Sequence, residues 1–521
     1  MTYRKTWFDY VLWAVYAGFC VTMLAYTGNR MYAFYVGDAL AGLGAFLLFP
    51  VLLCLYPGIR LSCQAMRKKH IFSAHFMIMA EALAISVSFV FGTILRIREA
   101  LLMASVYNLE SALSPGDYYE LAVVRTSGWG FSFAHGMGDL FVHCLRFVLS
   151  FLGNSVAAAM LFQVFLQLAA MVFACLAVRK AAGRFASCMV LLLLAFSNYY
   201  IRKIDVIGPE CLLITLFLAG LYLVVSFVKA LLAGREAYGG LPGTFFLGVV
   251  LGFLCYLEGG CAVLLLFLAG VFTGKQRAVM RKKRQISSLL IAASGVLAGF
   301  FCAIAEDAAA GGVVFYQGLI WWKDTYLQPD MAGARLLDVI RTDYLFFALV
   351  FVTASFVVPS FIRNGRDQEF SLWLLPCILV TPAFLIDVSV SGFGGIAVFF
   401  WCVMAGLGLK GAALGGQAEL VREKIEEINA AAQEAEKSQQ EDSVASTSGN
   451  AAGPTEGGAM SDRDAPEKET AQAPQKKPRF IENPLPLPKK HVKRIMDYDY
   501  DVSEADMHYD LETGFKEEFD R

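Results

Sequence analysis

The stretch Ser155–Val178, SVAAAMLFQVFLQLAAMVFACLAV, decides the fold, because it runs its whole length without one Asp, Glu, Lys, Arg or His. As a helix rising 1.5 Å per residue it is long enough to cross ~30 Å of hydrocarbon. Arg179, Lys180 and Arg184 follow at once, as expected where a span leaves the bilayer on its basic side. Working outward, similar apolar runs lie near 7–27, 32–55, 74–96, 185–201, 209–231, 244–258, 259–274, 286–306, 343–362, 371–389 and 393–409. The expected fold is an all-α, polytopic transmembrane helix bundle of about twelve spans. The runs at 244–258 and 259–274 are short and separated only by Glu258-Gly259-Gly260, so a re-entrant hairpin is the alternative there.

Composition agrees. Of the 521 residues 57% are hydrophobic and 17% charged, against about 45–50% and about 25% in soluble domains. The charge is crowded from Lys410 onward. A net charge of -1 points to no nucleic acid partner. The 12 cysteines are scattered singly, Cys20, Cys54, Cys63, Cys144 and Cys175 being the first, and mostly sit in apolar runs, where they act as small hydrophobes. Neither a disulfide framework nor a zinc site is expected. The apolar run from Trp7 is long and no small-residue cleavage site follows it, which favours a retained first helix over a cleaved signal peptide.

Orientation follows from the basic residues of short loops. Arg4 and Lys5, Arg60 with Arg67 to Lys69, Arg179 to Arg184, Arg277 to Arg284, and Arg363 with Arg366 fall on alternate loops, and the others hold most of the acids. This register places both termini in the cytoplasm. Two extracytoplasmic stretches, 98–154 and 307–343, are too long for turns, and loops beyond about 12–15 residues are often functional. Asp139 to Leu152 is expected as a juxtamembrane amphipathic helix on the membrane surface. The membrane domain is taken as 1–410, followed by a cytoplasmic helix over 411–442 and a disordered cytoplasmic tail over 443–521. That tail carries a proline-spaced segment, Asn483-Pro-Leu-Pro-Leu-Pro488, then a basic cluster at Lys489 to Arg494 that is either simply solvated or touches anionic lipid.

Candidate chemistry gathers outside. Asp117, followed by Tyr118, Tyr119 and Glu120, places a carboxylate among tyrosines at the membrane face, where it suits a general base taking a proton from an acceptor hydroxyl. The same residue fits a helix start, with Ser114 as N-cap, Pro115 at the first position and Asp117 closing a capping box. His135 suits a phosphate or sugar hydroxyl, or is an ordinary interfacial hydrogen-bonding residue. Arg202 and Lys203 sit at an outer span end against the positive-inside trend, so a phosphate head group or Asp205 should balance them. Pro209 and Glu210 read as a helix start. Trp321, Trp322, Lys323, Asp324 and Tyr326 form an aromatic belt at headgroup level or a place for a sugar to stack. Asp38, Glu81 and Glu258 lie inside spans, each at a cost of about 2.5–3.5 kcal/mol at a helix centre, and should face the bundle interior or water. No nucleotide-binding, Ser/His/Asp or metalloprotease motif is present in the sequence.

The order of these features resembles the glycosyltransferase C superfamily, in its bacterial family 39 (protein mannosyltransferase-like) branch. The likeness runs through Ile94-Leu95-Arg96, Asp117 to Ala122, His135-Gly136, Leu152 to Ser155, Arg179 to Arg184, Asn198-Tyr199-Tyr200, Gly208-Pro209-Glu210 and the glycine-spaced span from Phe246 to Leu254. The resemblance implies transfer of a sugar from a polyprenyl-phosphate donor to an acceptor glycan or protein at the extracytoplasmic face. It implies Asp117 as base and Arg202 and Lys203 as donor-phosphate ligands, with Tyr118, Tyr119, Glu120, His135 and Lys323 as substrate-binding candidates. A divalent cation is left open. The tail resembles those of Gram-positive membrane proteins, which implies a bacterial plasma membrane. A lipid-linked glycan flippase and a catalytically inactive assembly partner are the alternatives; no internal repeat supports the flippase.

Overall fold

In the computed structural model, residues 7–36, 54–66, 74–109, 117–124, 136–232, 240–270, 283–326, 339–364, 373–378, 380 and 393–413 are described, and among them every regular element is helical. The tail expected over 443–521 and the helix expected over 411–442, beyond Ala413, lie outside the described residues. Besides a helical stretch over 54–66, the helices are, in chain order, α1 Trp7–Val36, α2 Ala74–Leu109, α3 Asp117–Val124, α4 Met137–Leu152, α5 Val156–Ala182, α6 Arg184–Phe196, α7 Asn198–Arg202 and α8 Glu210–Leu232. They continue as α9 Leu241–Leu257, α10 Val263–Gly270, α11 Lys283–Ala310, α12 Phe315–Tyr326, α13 Tyr344–Ser355, α14 Val357–Asn364 and α15 Phe393–Ala413.

Six of these are long and apolar enough to cross a membrane: α1, α2, α5, α8, α11 and α15. Four shorter apolar helices accompany them, over Arg184–Phe196, Leu241–Leu257, Gly259–Leu268 and Tyr344–Ser360. The chain is therefore a helical membrane protein. Three boundaries differ from the sequence reading. α1 runs unbroken to Val36, past the turn expected near 27–32, because a lone Gly28 with open space around it does not stop a helix. α2 continues to Leu109, some way past the end expected at 96. The run expected at 185–201 is broken at Ser197, which separates α6 from α7.

α5 shows how local chemistry sets an element. Ser155 caps it by accepting from the Ala158 amide at 3.2 Å. Gly183, at φ 88°, ends it and donates its amide to Arg179 O at 3.0 Å. The basic residues Arg179 and Lys180 in the last turn complement the helix dipole. α6 then folds back beside it. Arg179 and Arg184 flank this turn and approach Glu81 of α2 at 3.9 and 3.7 Å, which supplies the partners that the carboxylate requires. Lys410 of α15 donates to Ala182 O at 2.7 Å, so α15 ends at the same basic end of the bundle.

Close packing depends on glycine where two backbones meet. Gly248 and Gly252 of α9 face Ala292 O and Val296 O of α11, and Gly295 and Gly299 answer against Phe245 O and Val249 O. A Cβ at any of these four has no room, so the two helices run parallel, joined by reciprocal small-xxx-small faces. Gly408 of α15 meets Thr353 O of α13 in the same way. After α9 the chain turns through Glu258, itself only 3% exposed, and a 3₁₀ turn over Gly259–Ala262. Leu254 and Leu264, on either side of that turn, both reach Gly220 of α8, so α9 and α10 form a hairpin against one helix.

Candidate functional site

At the end of the bundle opposite the basic turn, α3, α4 and the segment joining α7 to α8 come together. α4 is amphipathic: Met137, Phe141, Val142, Leu145 and Leu149 are buried, while Phe147, Phe151 and Leu152 are exposed. Its start, two residues before the expected Asp139, places Gly138 where the Tyr118 ring lies. A Cβ on Gly138 would stand 2.9 Å from Tyr118 Cε1. The ring also meets Phe141 edge-on, with centroids 6.1 Å apart. Tyr118 is thereby held with its hydroxyl among carboxylates. Burial pushes its pKa up, and the charges of Asp117, Asp139 and Glu210 push it further.

Glu210 links this group to the cation. It stands in the first turn of α8, where a carboxylate is favourable to the dipole, and its Oε2 lies 2.5 Å from Lys203 Nζ. The ammonium also sits over the Tyr199 ring, 5.2 Å from its centroid. Burial alone would lower the Lys203 pKa; Tyr199, Glu210 and the hydrogen bond to Glu210 more than reverse it. The structure therefore brings Asp117, Tyr118 and Lys203 into one neighbourhood through Glu210.

The other candidates divide. Arg202 is exposed and belongs to a second group with Asp205 and Glu99. The Asp205 carboxyl is pushed up to about 6 by burial and by Glu99, against the lowering effect of Arg202. Lys203 thus takes Glu210 as its partner rather than Asp205, and the two adjacent cations face different acids. Asp117 and Glu120 are exposed, and Tyr119 is half-buried with its pKa raised by burial. Asp117 is the first residue of α3, while Ser114 and Pro115, the expected cap, lie outside the described residues, as do His135 and Asp38. Lys323 is carried on α12. Among the described residues no group of three His, Cys, Asp or Glu stands close enough to hold a metal ion. None of the 12 cysteines is joined in a disulfide.

Sequence reasoning missed Asp139 as a neighbour of Tyr118 and the pairing of Glu210. The signal for Glu210 was present: an acid seven residues after Lys203, just past a Gly-Pro turn, can fold back on it. It gave Arg96, which is only 1% exposed, no role beyond its place in the family resemblance. Compared with known proteins, the chain matches no family model, no curated protein and no solved structure.

Proposed function

We propose that this chain is a glycosyltransferase of the bacterial plasma membrane, moving a sugar from a polyprenyl-phosphate donor to a cell-envelope glycan or protein at the extracytoplasmic face. The observation that carries the reading is the cluster itself: Asp117, Tyr118, Asp139, Glu210 and Lys203 meet at one end of a set of apolar helices. Asp117, exposed at the start of α3, takes the proton from the acceptor hydroxyl. Lys203 and Arg202 offset the negative charge that grows on the phosphate as the sugar C1 becomes cationic. Direct displacement inverts the anomeric centre. α4 supports lateral access to lipid, since Phe147, Phe151 and Leu152 give it an apolar exposed side beside the cluster.

A second reading is favoured by one contact. The 2.5 Å pair between Lys203 and Glu210 already neutralises the cation a phosphate would need, which suits a non-catalytic assembly partner of the same fold. Cell-envelope glycans from cells carrying wild type, Asp117→Ala and a deletion separate the two. The transferase reading expects one glycan modification to vanish in both altered strains while the Asp117→Ala protein stays in the membrane. Loss on deletion alone assigns the partner role, and unchanged glycans in both overturn the transferase.

A further inference from the structure

Arg96 lies within a span and donates hydrogen bonds to uncharged groups. Its Nη1 donates to Ala195 O at 3.0 Å and to Gly92 O at 3.1 Å, and its Nη2 to Leu194 O at 3.0 Å. Leu194 and Ala195 are in the last turn of α6, where the break at Ser197 leaves carbonyls without helical partners and the negative end of the dipole favours a cation. Its Nε donates to Gln167 Oε1 at 2.7 Å. This fixes the Gln167 amide, because an oxygen turned to the guanidinium leaves the NH₂ pointing away.

That NH₂ donates to Tyr200 O at 2.6 Å and to Cys211 Sγ at 3.5 Å. The same two acceptors hold the Lys203 backbone: its amide donates to Tyr200 O at 3.2 Å, and Cys211 Sγ donates to its carbonyl at 3.8 Å. Tyr200 is fixed from its other end by Oη donating to Gly395 O of α15 at 2.5 Å. We propose that Arg96 and Gln167 are positioning residues for the outer cluster, a buried relay that holds the backbone of Lys203 so that its ammonium meets Glu210 and the Tyr199 face. Neither touches the cluster, and Arg96 is inaccessible to any ligand there. The consequence for phosphate binding rests on the function proposed above; the placement of Lys203 does not.

The discriminating variant is Gln167→Glu. A carboxylate still accepts from Arg96, so the buried cation keeps its partner, but it has no hydrogens for Tyr200 O or Cys211 Sγ. Purified full-length protein is treated with an amine-acetylating reagent at fixed pH, and the rate at Lys203 is read by peptide mass spectrometry against Lys180, which lies at the opposite end. Lys203 in Gln167→Glu is expected to react about fivefold faster than in wild type, the equilibrium weight of one hydrogen bond. Cys211→Ala, a milder change, moves the rate the same way and keeps the test available if Gln167→Glu does not fold. An unchanged Lys203 rate in the folded variant overturns the relay. A parallel arm measures decaprenyl phosphate binding in phosphatidylcholine nanodiscs. Binding lost in Gln167→Glu supports the relay's role in holding phosphate. No binding by wild type overturns the phosphate assignment, while the lysine rates still decide the relay.

Discussion

Asp205 has an acid strength set by its surroundings. Its carboxyl moves from 3.8 to about 6, chiefly through burial and then through Glu99. Between about pH 4 and 6 the folded protein holds a proton that the unfolded chain has released, so stability falls as pH rises through that window. Asp205→Asn should remove the dependence. Its melting temperature is expected to match wild type below pH 4 and exceed it above pH 6, by the equivalent of about 1 kcal/mol once solvent screening is allowed for. Parallel melting profiles for the two proteins from pH 4 to 7 would show that Asp205 titrates normally. None of this was legible in sequence, where Asp205 was simply the nearest acid to Arg202 and Lys203. Asp117 was legible as a candidate because a carboxylate beside two tyrosines is a local pattern; Asp139 and Glu210, which act with it on Tyr118, arrive from other helices.

At the scale of elements, helix existence could be read from apolar length, but helix ends could not always be. The break at Ser197 interrupts a continuous apolar run, and it is tolerated because Arg96 reaches across from α2 to the buried carbonyls of Leu194 and Ala195, which have no helical partner there. The α9–α11 pair is the element-scale feature most open to test. Gly252→Leu puts a branched side chain against Val296 O, and forcing methylenes into such a contact costs about 3 kcal/mol. A clear drop in melting temperature is expected for Gly252→Leu, with Gly299→Leu doing the same and the double variant adding less than the sum, since both open one interface. A Gly18→Leu control on α1, where a Cβ meets open space, should change little. Equal losses in all three single variants would mean that the close α9–α11 backbone contact is not what sets the cost, since Leu is itself a better helix former than Gly.

For the whole molecule, the contacts sort the charged groups to two ends. Glu81, Arg179, Arg184 and Lys410 share one, and Tyr118, Lys203, Asp205 and Glu210 the other. If the bundle spans the bilayer as the basic-residue pattern implies, alkaline phosphatase inserted after Gly183 should be inactive and after Asp205 active, the enzyme requiring export. The same activity at both sites would mean that α6 does not carry the chain across. Sequence alone determined that this is a helical membrane protein, because the free energy of placing a run in hydrocarbon depends on the run itself. It also marked Asp117, Arg202 and Lys203 as groups out of keeping with their positions. Only the tertiary structure decided what a buried guanidinium does, and where the last helix ends against the bundle. Those outcomes depend on contacts between residues 98 and 99 apart, Arg96 with Leu194 and Ala195, or 228 apart, Lys410 with Ala182. No local pattern encodes such meetings, because they exist only once the helices have packed.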